Sequence, residues 1–307
     1  MLAACSLVAG CGAASRSAAS PPSTHVRVTE QPTASTPSTG TSAGVSKVLV
    51  VIEENHSLRQ MSSGMPYLFS LAERFGYATD YAAITHPSLP NYLAIVGGST
   101  FGVSDDAGPG SHPISGQSVF GQVQATGLSA RLYAESMPRD CDTQAASPYA
   151  VKHAPWAYFV DERAGCQTGM VPSGDPGHGR LASDIATGNL PTVGLLIPDL
   201  DHDAHDGSLA QADAWLHAWL GPILNGPDFT HGRLAVVVTA DENDGSSGNT
   251  VLTVVLAPGV SHQVVTTPLD HYSLTRFLDG VAGTPPLRAA ITANSLSAAF
   301  RIHVARS

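Results

Sequence analysis

One serine in the sequence stands where a nucleophile would be held at the start of a helix. Ser88 lies between Pro87 and Pro90 in the segment ITHPSLPNYLAIVGG, which continues as an apolar, helix-like stretch. Prolines are common at helix starts, where their missing N–H is not needed. A serine there is ordinarily a cap that accepts a free backbone N–H. The alternative is a nucleophile that faces the positive end of the helix, where an anion binds.

Carboxylates and imidazoles gather directly after three apolar segments of the chain. In order, these groups are Glu53, Glu54 and Asn55; Asp199, Asp201, Asp203, His205 and Asp206; and Asp241, Glu242 and Asp244. Oxygen ligands suit a hard divalent cation, and imidazoles extend the choice to zinc, iron or manganese. The pattern predicts one divalent metal site and leaves open whether a second ion binds.

The segments that carry these groups predict the fold class. KVLVVIEENHS, TVGLLIPDLDHD and RLAVVVTADEND each begin as a continuous apolar run, as buried parallel strands do. A fourth strand is predicted in TVLTVVLAPG, and stretches with helical spacing separate the strands. Alternating strands and helices indicate an α/β fold with a mainly parallel central sheet flanked by helices. Ligands in such folds gather beyond the carboxyl ends of the strands, where the acidic groups lie.

Two cysteines fall in a segment that is rich in Gly, Pro and Ser. This segment runs from about Asp105 to Gly188, and we interpret it as an irregular insertion or cap. It contains Cys141 and Cys166, and a pair of cysteines in an exported chain most simply forms a disulfide. Free thiols are the weaker alternative, because neither cysteine has the spacing of a Cys/His metal site.

The amino-terminal region has the composition of an export signal followed by a tether. Val8 to Cys11 (VAGC) resembles a bacterial lipoprotein cleavage box, after which Cys11 would carry lipid. Residues 12–46 are rich in Ser, Thr and Pro, which cannot bury enough apolar surface to order themselves. We therefore expect a signal segment over residues 1–11, a linker over 12–46 and a catalytic domain over 47–302. The protein is expected to be exported, either anchored to the cell membrane or secreted.

The overall composition restricts the classes of partner. The chain has 307 residues, 43% of them hydrophobic, and a formal net charge of −10. No basic stripe, zinc-finger spacing or basic helix is present, which argues against nucleic acid as a partner. We expect a monomer. An acidic protein that binds a phosphate ester needs positive charge locally, and a metal ion supplies it.

Five blocks of the sequence resemble the bacterial phosphoesterase family of secreted acid phosphatases and phospholipases C. In chain order they are IEENHS, THPSLPNYLAIVGGSTFG, DHDAHDGSLAQADAWL, ADENDGSS and DHYSLTRFL. SLPNYLAIVGG also resembles the nucleophile block of nucleotide pyrophosphatase/phosphodiesterases, where a threonine takes the place of Ser88. The resemblance covers roughly Val48 to Pro286 and implies an alkaline-phosphatase-like fold.

The resemblance also implies roles for individual residues. A metal ion would be held by Glu54, Asn55, Ser88, Asp241 and Glu242, with Ser88 as the nucleophile. Asp201, His205 and His271 match the pattern that holds a second metal in the wider superfamily, whereas in some family members histidines take that place. Asn91 and the helix amides would hold phosphate oxygens, and a histidine such as His86, His205 or His271 would protonate the leaving group.

Lys152 and His153 in YAVKHAPW admit two interpretations. Relatives carry a similar Lys-His before a proline, which implies contact with the substrate phosphate. A solvated lysine beside a structural histidine is the alternative.

Three functions are compatible with these residues. The first is an exported, metal-dependent phosphomonoesterase of the acid phosphatase type that forms a covalent phosphoserine; the resemblance adds phosphoinositide monophosphates, phosphatidylinositol 3-phosphate among them, as substrates. The second is a phosphodiesterase of the phospholipase C type. The third is a non-catalytic lipoprotein that binds metal or phosphate, against which Ser88, Asn91, Asp241 and His271 argue together.

Overall fold

The computed structural model describes residue 9 and residues 44–305. The predicted signal segment, the lipidation position Cys11 and nearly all of the predicted linker lie outside the described residues. The described strands are β1 (Lys47–Glu53), β2 (Gly76–Ala78), β3 (Tyr81–Ala82), β4 (Ala130–Ala134), β5 (Met170–Pro172), β6 (Val193–Ile197), β7 (Leu234–Ala240), β8 (Thr253–Leu256), β9 (Gln263–Val265) and β10 (Leu269–Asp270).

Helices alternate with these strands and cover both faces of the central sheet. They are α1 (Leu58–Gly64), α2 (Pro66–Arg74), α3 (Ser88–Gly97), α4 (Val119–Ala125), α5 (Arg163–Gly169), α6 (Arg180–Thr187), α7 (Leu209–Asn225), α8 (Pro227–Thr230), α9 (His271–Ala282) and α10 (Leu296–Ala299). Short 3₁₀ turns lie at Val151–His153, Pro155–Tyr158, Val160–Glu162, Ser247–Asn249 and Arg288–Ile291. None of the described helices is long and apolar enough to cross a membrane.

Eight strands form the central sheet in the order β5-β4-β6-β1-β7-β8-β2-β9. The five strands from β5 to β7 in this order are parallel to one another, and β8 is antiparallel to both β7 and β2. Every residue of β6 and β7 is buried, as expected for strands covered on both faces. The prediction of a mainly parallel sheet flanked by helices is confirmed.

The segment between residues 105 and 188 is more regular than its composition indicates. It contributes β4 and β5 to one side of the central sheet, together with α4, α5 and α6. Its irregular parts are residues 105–118 before α4, residues 135–162 between β4 and α5, where the structure has 3₁₀ turns and loops, and residues 173–179 before α6. Such short strands carry a weak sequence signal, and the pairing of β4 with β6 and of β5 with β4 decides their conformation.

A disulfide joins the irregular part at residues 135–162 to α5. Cys141 pairs with Cys166 across a sequence separation of 25 residues, with the two Cα atoms 5.3 Å apart. Both cysteines are buried, so the bond lies inside the folded domain. The predicted pairing is confirmed.

We expect the double substitution Cys141→Ala and Cys166→Ala to lower the free energy of unfolding by about 3 kcal/mol, because the unfolded chain regains the entropy of the open loop. Urea denaturation of the native and the double-variant protein measures this change. Reduced native protein is the matched control and should unfold with the double variant. Two alkylatable thiols in native protein isolated without reductant would contradict the pairing.

Candidate active site

The pairing of β1 with β7 brings two acidic segments together at the carboxyl edge of the sheet. The two strands are parallel, and Glu53 at the end of β1 lies opposite Ala240 at the end of β7. Glu54 and Asp241 therefore leave the sheet side by side, and the Asp241 N–H donates to the Glu53 carbonyl at 3.0 Å. The side chains of both residues are fully buried.

Ser88 is the first residue of α3 and does not act as its cap. The N-cap position is Pro87, whose side chain makes no capping hydrogen bond. The Ser88 Oγ instead donates to Glu54 Oε2 at 3.1 Å and lies 3.4 Å from Lys152 Nζ. Only 1% of Ser88 is exposed. The cap interpretation is therefore wrong, and the hydroxyl lies between a carboxylate and an ammonium group.

The loop before Ser88 is held by the side chain of Asn91. Its Oδ1 accepts from the N–H groups of Ile84 and Thr85 at 3.0 and 3.1 Å. Its Nδ2 donates to the carbonyls of Thr85 and Pro87 and lies 3.2 Å from Glu242 Oε2. Asn91 was expected to hold a phosphate oxygen, whereas in this structure its amide group holds the loop. Because the loop and Glu242 use both polar atoms, Asn91 is a positioning residue in this structure.

His153 forms a buried bridge between two carboxylates. Its Nε2 lies 2.9 Å from Glu54 Oε1, and its Nδ1 lies 3.2 Å from Asp203 Oδ2. Burial alone would lower the pKa of His153, but the two carboxylates outweigh it and raise the pKa to about 9. The ring is stacked on Tyr92 with centroids 4.9 Å apart. His153 is thus a buried imidazolium.

Lys152 is not the solvated lysine of the alternative interpretation. Its side chain is 18% exposed, and its Nζ lies 3.2 Å from Asp106 Oδ2 as well as near Ser88. Burial raises the pKa of Glu54, but His153 and Lys152 act against this and lower it to about 2. Glu54 is therefore ionised and faces two cationic groups.

The charged forms of Asp241 and Glu242 are destabilised, because the described residues would only partly compensate negative charge on them. Asp241 Oδ1 accepts from the N–H groups of Glu242 and Asn55 at 2.6 and 3.3 Å. Its Oδ2 is buried and has no hydrogen-bond partner among the described residues. Burial and repulsion from Glu54 and Glu242 raise the pKa of Asp241 well above its ordinary value. Burial and repulsion from Glu54 likewise raise the pKa of Glu242 to about 8.

These features fit a cation bound between the carboxylates. An orphaned buried oxygen and mutually repelling acids are what a divalent ion would satisfy, and Glu54, Asp241 and the Ser88 hydroxyl supply hard oxygen donors. Asn55 adjoins Asp241 through its backbone N–H, and its φ of 49° turns the chain sharply after β1. Glu242 lies on the other side of Asp241, toward Asn91.

The three histidines expected to act as acids occupy different environments. His86 is 43% exposed, and its Nδ1 lies 2.9 Å from Glu242 Oε2. His205 is 30% exposed; its Nε2 lies 3.4 Å from Lys152 Nζ, and its Nδ1 lies 2.7 Å from Asp206 Oδ1. Both therefore border the site.

His271 is placed differently from the expectation. It is buried, its Nε2–H donates to the Asp241 carbonyl at 2.6 Å, and its Nδ1 accepts from the Tyr81 hydroxyl at 3.1 Å. Burial lowers the pKa of His271 to about 4. A neutral ring with both nitrogens engaged is suited neither to metal binding nor to proton donation, and it supports the backbone of Asp241.

Asp201 also differs from its expected place as a metal ligand. Its side chain is exposed, and its N–H donates to Asp199 Oδ1 at 3.1 Å. Two residues later, Asp203 is buried, contacts His153, and accepts the Glu54 N–H with its carbonyl at 2.8 Å. The turn after β6 therefore sends Asp203, not Asp201, into the site.

Asp106 was missed at the sequence level. Its Oδ1 accepts from the Leu89 N–H at 2.9 Å and its Oδ2 contacts Lys152, so it occupies one of the free amides of α3. No sequence signal identifies it, because Asp105 and Asp106 lie in a loop without regular spacing.

A second group of possible metal ligands lies at the carboxyl ends of β4 and β6. Glu135, Asp199 and His202 offer ligand atoms within 4.8 Å of one another. His202 Nδ1 lies 3.1 Å from Glu135 Oε2 and 3.2 Å from Asp199 Oδ1. Trp215 Nε1 and the Ser136 hydroxyl donate to the remaining carboxylate oxygens. Only Asp199 of this group stood out in the sequence.

Solved structures share the fold at low sequence identity. The chain aligns with a protein of the alkaline phosphatase superfamily from Vibrio parahaemolyticus with a TM-score of 0.54 and 10% identity, covering 83% of this chain and 72% of that one. Lipoteichoic acid synthase LtaP from Listeria monocytogenes aligns with a TM-score of 0.53 and 11% identity, covering 82% and 77%. The alkaline-phosphatase-like fold is thereby confirmed.

Relatives in sequence are phosphatases. A phosphatidylinositol-3-phosphatase from Mycobacterium tuberculosis is 34% identical over 248 residues, which are 78% of this chain and 77% of that protein. A phosphate-repressible acid phosphatase from Penicillium chrysogenum is 28% identical, and an acid phosphatase from Aspergillus fumigatus is 26% identical. The chain spans about half the length of these two fungal relatives, 55% and 48%.

Residues 59–285 match the Phosphoesterase family, and this range covers most of the chain. It contains Ser88, Lys152, His153, Asp241 and Glu242, while Glu54 lies five residues before its start. The chain therefore belongs to the Phosphoesterase family.

Proposed function

We propose that this protein is a metal-dependent phosphomonoesterase in which Ser88 attacks the phosphorus atom. Family membership makes the chain a hydrolase of phosphoric esters, and its acid phosphatase relatives favour monoesters. The observation that carries the proposal is the contact geometry of Ser88. Its buried hydroxyl lies 3.1 Å from Glu54 Oε2 and 3.4 Å from Lys152 Nζ, at the start of a helix that it does not cap.

The reaction follows from the groups around this hydroxyl. The Oγ–H proton passes along its hydrogen bond to Glu54 Oε2 as the Oγ–P bond forms. The bond from phosphorus to the leaving oxygen breaks, which gives a phosphoserine and, once that oxygen is protonated, an alcohol. Glu54 orients the hydroxyl, and Lys152 compensates negative charge on the phosphoryl oxygens. Water then attacks the phosphoserine and releases inorganic phosphate.

A proton must reach the leaving oxygen, and we assign its transfer to His86, whose exposed ring is held at Nδ1 by Glu242 Oε2 at 2.9 Å. His205 is the alternative donor. Its Nε2 lies 3.4 Å from Lys152 Nζ and can carry a proton only after that contact is broken, while Asp206 holds its Nδ1. His271 is unsuited, since its two nitrogens serve Asp241 and Tyr81.

Glu54, Asp241 and Ser88 are the residues we propose to hold the divalent ion, with Asn55 and Glu242 beside them. The unpartnered Asp241 Oδ2 and the mutual repulsion of the carboxylates support this ligand set. When bound, such an ion lowers the pKa of the serine hydroxyl and neutralises phosphate charge.

The natural substrate is proposed from the relatives. The similarity to a phosphatidylinositol-3-phosphatase supports a phosphoinositide monophosphate as one substrate. An exported, membrane-anchored enzyme would meet such a lipid at a membrane surface, and the VAGC box at Val8 to Cys11 supports this placement.

We expect Ser88→Ala to lower kcat for p-nitrophenyl phosphate by at least ~10³-fold while the protein stays folded, because covalent catalysis is lost. Rapid acid quenching of native enzyme with labelled substrate should trap phosphate on the peptide that contains Ser88. Ser63→Ala, an exposed serine of α1, is the matched control and should keep full activity. Near-native turnover by folded Ser88→Ala, or faster turnover of bis-p-nitrophenyl phosphate than of the monoester by native enzyme, would contradict the proposal.

We expect Asp241→Asn to lose both metal and activity, because the ion loses an anionic donor while the shape of the side chain is kept. Elemental analysis of the purified variant measures the metal separately from turnover. Asp244→Asn, in the same loop and exposed, is the matched control and should keep both. Full activity in native protein from which chelation has removed all metal would refute metal dependence.

The membrane anchor is tested by metabolic labelling with a fatty acid. Native protein should carry the label and Cys11→Ala should lose it, since the thiol that accepts the lipid is removed. Cys5→Ala, a cysteine on the other side of the cleavage box, is the control and should keep the label. Unlabelled native protein released into the medium would exclude the anchor.

A further inference from the structure

A cavity of about 500 Å³ opens beside the Ser88 site, and the chemistry described above assigns it no role. Two loops form most of its wall, residues 106–111 and residues 143–152, and Leu200 closes one side. This volume is typical of pockets that bind small organic molecules.

The cavity adjoins the proposed nucleophile through two of its own lining residues. Lys152 lines the cavity, and its Nζ lies 3.4 Å from the Ser88 Oγ. Asp106 also lines it and accepts the N–H of Leu89, the residue next to Ser88. An ester whose phosphorus contacts Ser88 therefore has its organic part within reach of the cavity.

The charged side chains that line the cavity have a net charge of zero. Of the described residues that line the cavity, only Asp106 and Lys152 are charged, and they form an ion pair with Nζ and Oδ2 3.2 Å apart. Much of the remaining wall is apolar, as at Pro109 and Val151. Tyr149 lines the cavity as well, but its hydroxyl already donates to the Asp142 carbonyl at 2.9 Å.

We propose that this cavity binds the alcohol part of the substrate and selects an alcohol that is uncharged and partly apolar. The inference rests on the proposed function, since it takes Ser88 as the nucleophile. A second anion inside the cavity would lose hydration without meeting an unpaired cation.

Two esters of nearly the same shape test the charge selection. We expect native enzyme to hydrolyse 4-carbamoylphenyl phosphate with a kcat/KM roughly tenfold or more above that for 4-carboxyphenyl phosphate, because only the second places an anion in the cavity. Equal values, or a preference for the carboxylate, would overturn the selection. Hydrolysis of neither ester would overturn the proposed function itself, and with it this inference.

A matched pair of variants tests whether the alcohol enters this cavity. Ala145 lines it and is exposed, whereas Ala164 is exposed on α5 and does not line it. Ala145→Arg should raise kcat/KM for the carboxylate ester relative to the amide by about fivefold, the contribution of one exposed charge pair. Ala164→Arg should leave the ratio at the native value.

Gln144→Arg repeats the test at a second exposed lining position, in case Ala145→Arg does not fold. An unchanged ratio in folded Ala145→Arg or Gln144→Arg would show that the leaving alcohol binds elsewhere. An equal rise in Ala164→Arg would show a long-range effect of protein charge, and would likewise overturn the assignment of the cavity.

Discussion

The burial of Glu54 and Asp241 side by side is the constraint on which the rest of the site depends. Parallel pairing of β1 with β7 places these two residues next to each other, and burial removes the water that would screen the repulsion between their carboxylates. Such an arrangement is stable only if positive charge or protons are supplied locally. His153 and Lys152 supply part of that charge on the Glu54 side. The Asp241 side has a buried oxygen without a described partner, and this is where a cation fits.

The position of Ser88 is a second consequence of the same charge balance. Asn91 holds the preceding loop through four hydrogen bonds and contacts Glu242 through a fifth, and the serine side chain is directed to Glu54 instead of capping α3. Asp106 accepts the N–H of Leu89 in the first turn of α3 and at the same time holds Lys152 beside the hydroxyl. The prolines around Ser88 thus shape the turn, and side chains from three other segments surround the hydroxyl that it presents: Glu54, Asp106 and Lys152.

The segment from 105 to 188 links the sheet to the substrate side of the site. Its β4 and β5 are an ordinary part of the central sheet, so they give the loops that follow a rigid base. From these loops come Lys152, His153 and most of the cavity beside Ser88, and the Cys141–Cys166 disulfide fastens the loop region to α5. The groups that neutralise charge and the walls that would contact an alcohol therefore belong to one structural unit.

The sequence by itself determined the fold class and the acidic strand ends. Continuous apolar runs that stop at carboxylates are a local signal, and parallel strands must place their carboxyl ends at one edge, so the proximity of Glu54 to Asp241 followed from pattern alone. Which loop residues enter the site was decided by tertiary structure. Asp203 and Asp201 differ by two positions in one acidic loop, and only the turn after β6 buries the first and exposes the second. His271 and Asn91 were expected at the phosphate, but the Asp241 carbonyl and the loop before Ser88 use their polar atoms. Asp106, Glu135 and His202 join their groups through contacts between residues far apart in the chain, and no local spacing encodes such contacts.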